Sequence, residues 1–224
     1  MWNLVPPPGF QGLRDDLPLY VYTRHMPHWR QDGATYFVTF RLGDSLPQSR
    51  LDELARLKQD WENEHPEPRS KEVLEKLARM VFDHIELWLD QGHGTCVLKL
   101  PDMARFIVNP MHHFDGERYE LICYVVMPNH VHAILRPTQP QAHPLEMILK
   151  SWKSHSSRRI NDAMGQLGEL WQDESYDRII RNEEHLWRAI QYIGSNPKNA
   201  GLPSDCCPLW IRPEWKALGW DFTQ

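Results

Sequence analysis

The stretch Tyr124-Val125-Val126-Met127-Pro128-Asn129-His130-Val131-His132-Ala133-Ile134-Leu135 constrains the chain most. It reads as a buried strand, a two-residue turn at Pro128-Asn129, and a return strand that opens with two histidines. Alternate residues of a strand share a face, so His130 and His132 project together while Val131, Ala133 and Leu135 point the other way. Two imidazoles on a rigid strand form an edge suited to a metal ion.

The flanking segments predict a mixed fold. Residues 1–33 are Pro-rich and read as an irregular arm ending in a turn at Asp32-Gly33. Ala34–Arg41 is rich in aromatic and β-branched residues, as strands are. Helical periodicity runs over 48–64 and 70–90, broken at His65-Pro66-Glu67-Pro68, which predicts a helical hairpin. A turn and short strand follow at 92–98, then a helix opened by Pro101-Asp102. The hairpin strands come next, then an amphipathic helix over about 144–161. A strand begins at Tyr176, and a helix capped by Asn182 ends where Pro197 breaks or kinks it. The tail, with Trp210, Trp215 and Trp220, reads as irregular. This order fits an α+β chain built on a split βαβ antiparallel sheet, with helices on one face and an inserted helical hairpin. One domain over 1–224 is expected, with its core at about 24–45 and 92–202, the insertion at about 47–91 and the tail at 203–224.

Charge limits the partners. Net charge is −5, so a nucleic-acid surface must be a local patch. Residues 51–90 hold eleven acids against six Lys and Arg, a poor place for a phosphate backbone. The insertion therefore reads as packing that shields or props the core. The balance reverses on the helix after the histidines, where Lys150, Lys153, Arg158 and Arg159 face Glu146 alone. These four, with Arg24 and Trp29 of the arm, are the candidate nucleic-acid contacts, a solvated helix face being the alternative for the four. The four cysteines lack CxxC spacing, and no apolar run approaches twenty residues. A cytoplasmic protein without membrane contact is expected, either monomer or homodimer.

Further along, Tyr192 and Asn196 are spaced i, i+4 on a helix, so a phenol and a carboxamide oxygen can approach one point. If that helix crosses the histidine edge, His130, His132 and Asn196 offer two nitrogens and an oxygen to a divalent cation, Mg²⁺ or Mn²⁺ rather than structural zinc. Such an ion would polarise a phosphodiester held in line with the Tyr192 oxygen. Strand transfer through a 5′-phosphotyrosine follows, with Tyr192 as nucleophile.

Met127-Pro128-Asn129-His130-Val131-His132 resembles the metal motif of the single-tyrosine HUH transposases. Trp171–Glu184 and Tyr192–Leu202, with Pro27-His28-Trp29 and Ala34–Arg41, are similar to the REP-associated tyrosine transposases of the IS200-like group. The chain departs from that pattern at Asn199, where the family usually carries lysine. The resemblance implies a ferredoxin-like fold, metal at His130, His132 and Asn196, and single-stranded DNA with a REP-type foldback hairpin as substrate. A hairpin-DNA-binding protein without turnover is the alternative. A hydrolytic His-x-His metalloenzyme is a weaker third, because no carboxylate is evident beside the histidines.

Overall fold

A computed structural model of the chain describes residues 4–203 and 205–223. The arm, apart from residues 1–3, which lie outside the described residues, is more ordered than its composition predicts. It folds a two-stranded hairpin, β1 (Tyr20–Thr23) on β2 (Pro27–Arg30). Then come β3 (Tyr36–Arg41), α1 (Gln48–Glu64) and α2 (Lys71–Leu89), the two helices falling where periodicity put them. The short strand expected near 97 is instead a single 3₁₀ turn, Val97–Lys99, entered through Cys96 at φ 49. Its backbone donates to Pro128 O, so the segment braces the histidine turn rather than joining the sheet.

Next are α3 (Pro101–His113), β4 (Tyr119–Val126), β5 (His130–Pro137), α4 (Leu145–Met164), β6 (Tyr176–Ile179) and α5 (Glu183–Asn199). Asn182 caps α5, its side chain accepting from His185 N. The helix runs past Pro197 to Asn199, so the proline is absorbed in the last turn instead of ending it. The tail is not irregular either: β7 (Leu209–Ile211) and α6 (Pro213–Lys216) form, and β7 pairs with β4.

The main sheet has five antiparallel strands in the order β6-β3-β5-β4-β7. Strand alternation sorts its side chains into two cores. Val38, Phe40, Val131, Ala133 and Leu135 join Ile107 of α3 and Ile148, Leu149 and Trp152 of α4. Phe37, Val125 and Ile134 join Leu186, Ile190 and Ile193 of α5, with Trp215 and Trp220 behind them. Helices therefore cover both faces, not one, because both faces of β3, β4 and β5 are apolar. The tail packs on the side of α5 that carries Gln191 and Gly194.

Candidate active site

His130 and His132 lie on the α5 side of the sheet, both fully buried. Register sets His132 beside Thr39 of β3 and Val125 of β4. Each ring is held from behind by its Nδ1. His132 Nδ1 lies 2.8 Å from Thr39 Oγ1, and His130 Nδ1 lies 2.8 Å from Asn129 Oδ1. Asn129 is itself oriented, since its Nδ2 donates to Leu89 O at 3.1 Å and His93 O at 3.3 Å. An amide oxygen only accepts, so His130 keeps its proton on Nδ1 and presents a lone pair at Nε2. That atom faces His132 Nε2 at 3.0 Å. Burial, then the neighbouring imidazole, lowers the His130 pKa to about 3, so the ring is neutral across the physiological range.

The α5 helix brings Tyr192 and Asn196 to the same place. The rings of Tyr192 and His132 stand 5.4 Å apart. Asn196 is 1 % exposed and interacts with both His130 and Tyr192. The distant phenol and the imidazole pair thus meet.

A third element arrives that sequence reasoning assigned to packing. Glu86 of α2 is 7 % exposed, with Oε2 3.1 Å from His132 Nε2. The Tyr192 hydroxyl donates to that same oxygen. Burial would raise the Glu86 pKa, but the imidazoles and the phenol more than offset it and hold it below the usual carboxylate range. The Tyr192 pKa moves far upward, through burial first and the Glu86 charge second, so the phenol is neutral. Asp90, one turn beyond Glu86, is raised to about 6 by burial and the Glu86 charge. The insertion is therefore a wall of the site as well as a prop. The signal lay in Glu86 itself, an acid on a helix face that otherwise buries Phe82 and Leu89.

Glu86, His130 and His132 offer ligand atoms within 4.8 Å of one another. Two buried acceptors, Glu86 Oε1 and Asn196 Oδ1, have no hydrogen-bond partner. Nitrogen lone pairs and orphaned oxygens converging on one point fit a divalent cation.

The expected DNA contacts are placed differently from one another. α4 packs against α3 on the opposite face of the sheet from the histidines. Lys153 is tied to the backbone oxygens of Gln172 and Asp173, and burial lowers its pKa to about 8. Arg24 pairs with Asp173 at 2.6 Å, and Arg24, Lys150 and Lys153 line one cleft of about 650 Å³. Arg158 and Arg159 are exposed, the latter lying over the Phe106 ring at 5.0 Å. Trp29 is 6 % exposed and belongs to the core beneath the arm.

The family model described as "Transposase IS200 like" matches residues 105–196. Over that stretch the chain resembles an IS200-like transposase. The matched stretch holds His130, His132, Tyr192 and Asn196, whereas Glu86 lies outside it. A solved structure described as the REP-associated tyrosine transposase bound to a REP hairpin is similar at 17 % identity and TM-score 0.44, covering 83 % of this chain and 76 % of that one. Among curated proteins nothing matches. Among the described residues no helix is long and apolar enough to cross a membrane.

Proposed function

We propose that the protein cleaves and rejoins single-stranded DNA at a hairpin, with Tyr192 as nucleophile and a 5′-phosphotyrosine as intermediate. One observation carries this reading: the Tyr192 hydroxyl, Glu86 and the His130–His132 pair meet at one buried point. The resemblance of residues 105–196 to IS200-like transposases supports DNA as the substrate.

The phenol oxygen attacks phosphorus, the bond from phosphorus to the 3′ oxygen breaks, and that oxygen leaves as a hydroxyl after taking a proton from solvent. A phenol of ordinary pKa about 10 is roughly one part in a thousand ionised at neutral pH, a deficit on the order of 4 kcal/mol that burial and the Glu86 charge enlarge for Tyr192. Glu86 already accepts the hydroxyl hydrogen bond, so the departing proton has a carboxylate within reach. His130, His132, Asn196 and Glu86 would hold Mg²⁺ or Mn²⁺, which when bound supplies Lewis-acid polarisation of the phosphodiester. The ester retains the energy of the broken bond, so religation needs no nucleotide. The protein acts as one transposase-like domain.

The carboxylate missing from the hydrolase reading is present as Glu86, but the Tyr192 hydroxyl occupies it. A labelled hairpin oligonucleotide with Mn²⁺ separates the readings. Wild type forms a denaturation-resistant adduct, and Tyr192→Phe binds the hairpin without forming one. Cleavage by the Phe variant would assign the nucleophile to water, and binding without turnover by wild type would leave a hairpin-binding protein.

A further inference from the structure

Five buried side-chain atoms among the described residues lack a hydrogen-bond partner, and their chemistry divides by location. The three acceptors, Glu86 Oε1, Asp90 Oδ1 and Asn196 Oδ1, surround the catalytic point. The two donors, Trp29 Nε1 and Arg178 Nε, belong to residues that line a separate cleft of about 500 Å³, both atoms lying buried beneath its surface. Orphaned acceptors ask for a cation. Orphaned donors ask for an oxyanion.

This second cleft lies between α2 and the first turns of α5, beside β6, the outermost strand of the sheet. Arg178 and Tyr176 of β6 line it. They sit opposite Phe37 and Thr39 of β3, and Thr39 in turn sits opposite His132. Arg178 lies over the Phe37 ring at 5.4 Å, so it shares the histidine face of the sheet. Tyr176 stands two strands from His132, roughly 10 Å at ordinary strand spacing. Both walls continue into the catalytic site. Along α2, Arg79 leads through Phe82 to Glu86, and along α5, Arg188 leads to Tyr192 one turn later.

Lys76, Arg79, Arg181 and Arg188 rim the cleft and are exposed. Of the other acids in the lining, Asp177 is held by His28 and Arg30, and Glu72 stands at the start of α2. On the surface, Glu75 pairs with Arg181, Glu184 with Arg188 and Asp83 with Arg79. Exposed pairs of this kind are weak and can be exchanged for a phosphate. The surrounding charge registers on His185, whose pKa falls to about 4 through burial and then Arg178, Arg181, Arg188 and Arg79.

We infer that this cleft is the track along which the single-stranded DNA flanking the hairpin reaches Tyr192, its phosphates on Lys76, Arg79, Arg178 and Arg188 and a base against Tyr176. The inference rests on the proposed strand-transfer reading for its substrate, and it places the single-strand contact apart from α4. The insertion then supplies one wall of the DNA path despite its acidic balance, because Lys76 and Arg79 face the cleft.

Fluorescence anisotropy with two oligonucleotides tests it, a REP-type hairpin with a single-stranded flank and the same hairpin without one. In the full chain, the triple variant Lys76→Gln, Arg79→Gln, Arg188→Gln changes only exposed side chains, and a thermal melt verifies folding. Expected is at least a roughly tenfold weaker Kd for the flanked hairpin, with a salt slope shallower by about 2 for three lost charges. The flankless hairpin should shift less than about twofold. Trp29→Phe, which keeps an aromatic side chain in the core but deletes the orphan donor, should weaken flanked binding alone once a thermal melt verifies its folding. Unchanged flanked binding, equal loss for both oligonucleotides, or no flank preference in wild type would each overturn the track. Adduct formation is scored separately: an adduct with no flank effect sinks the track and leaves Tyr192 in place, whereas a flank effect without any adduct does the reverse.

Discussion

At the scale of single residues, the site is defined by which atoms face one another. Asn129 and Thr39 hold the histidine rings from behind, leaving Nε2 of each to the centre. Loss of such supporting partners commonly costs 10–100-fold in metal affinity. Asn129→Ala should therefore weaken Mn²⁺ binding by about that factor, measured by electron paramagnetic resonance of the free ion. Glu86→Gln is the sharper case. It keeps the shape and an acceptor for Tyr192 but removes the charge that, in the proposed reaction, would receive the phenol proton. Adduct formation should slow by roughly 10²-fold or more while hairpin affinity holds. An unchanged rate would remove Glu86 from the chemistry.

At the scale of elements, β2 and β6 are clamped by a buried charge cluster. Both ring nitrogens of His28 face carboxylates, Nδ1 at 2.7 Å from Asp177 and Nε2 at 2.9 Å from Glu174. Arg30 closes the cluster on Asp177. Burial disfavours the His28 charge, but the two carboxylates more than offset it and raise the pKa to about 9, from an ordinary 6.5. A raised folded pKa stabilises fully below the unfolded value and is lost as pH rises through the folded one. Stability should thus fall between about pH 6.5 and 9, by on the order of 3 kcal/mol. His28→Gln should flatten that slope in denaturant titrations. In the tail, Trp215 is 2 % exposed against α5, and Trp215→Ala should cost about 3–5 kcal/mol, read from the denaturation midpoint.

At the scale of the whole molecule, three distant segments converge: α2 from the insertion, β5 from the sheet and α5 from near the end of the chain. An ion bound there stabilises the folded state alone, by about 2.7 kcal/mol at a hundredfold excess over Kd. Mn²⁺ should raise the melting temperature of wild type, chelation should reverse it, and His130→Ala/His132→Ala should abolish the response. An equal rise in the double variant would place the ion elsewhere.

Much of this was legible from local order. The turn at Pro128-Asn129 and the alternation of His130 with Val131 specify a strand pair and the face each side chain takes, because pleating is a period-two property of the backbone. The i, i+4 spacing set Tyr192 beside Asn196 for the same kind of reason. What sequence could not specify was which surfaces meet. Glu86 read as one more acid on an acidic helix, Trp29 as part of an irregular arm, and residues 203–224 as an irregular tail. Each was decided by packing across long separations: α2 laid over the histidine edge, the arm folded on β6, the tail paired to β4. Periodicity assigns a side chain to a face of its own element. Only the docking of elements, driven by apolar burial that no short stretch encodes, decides what that face will touch.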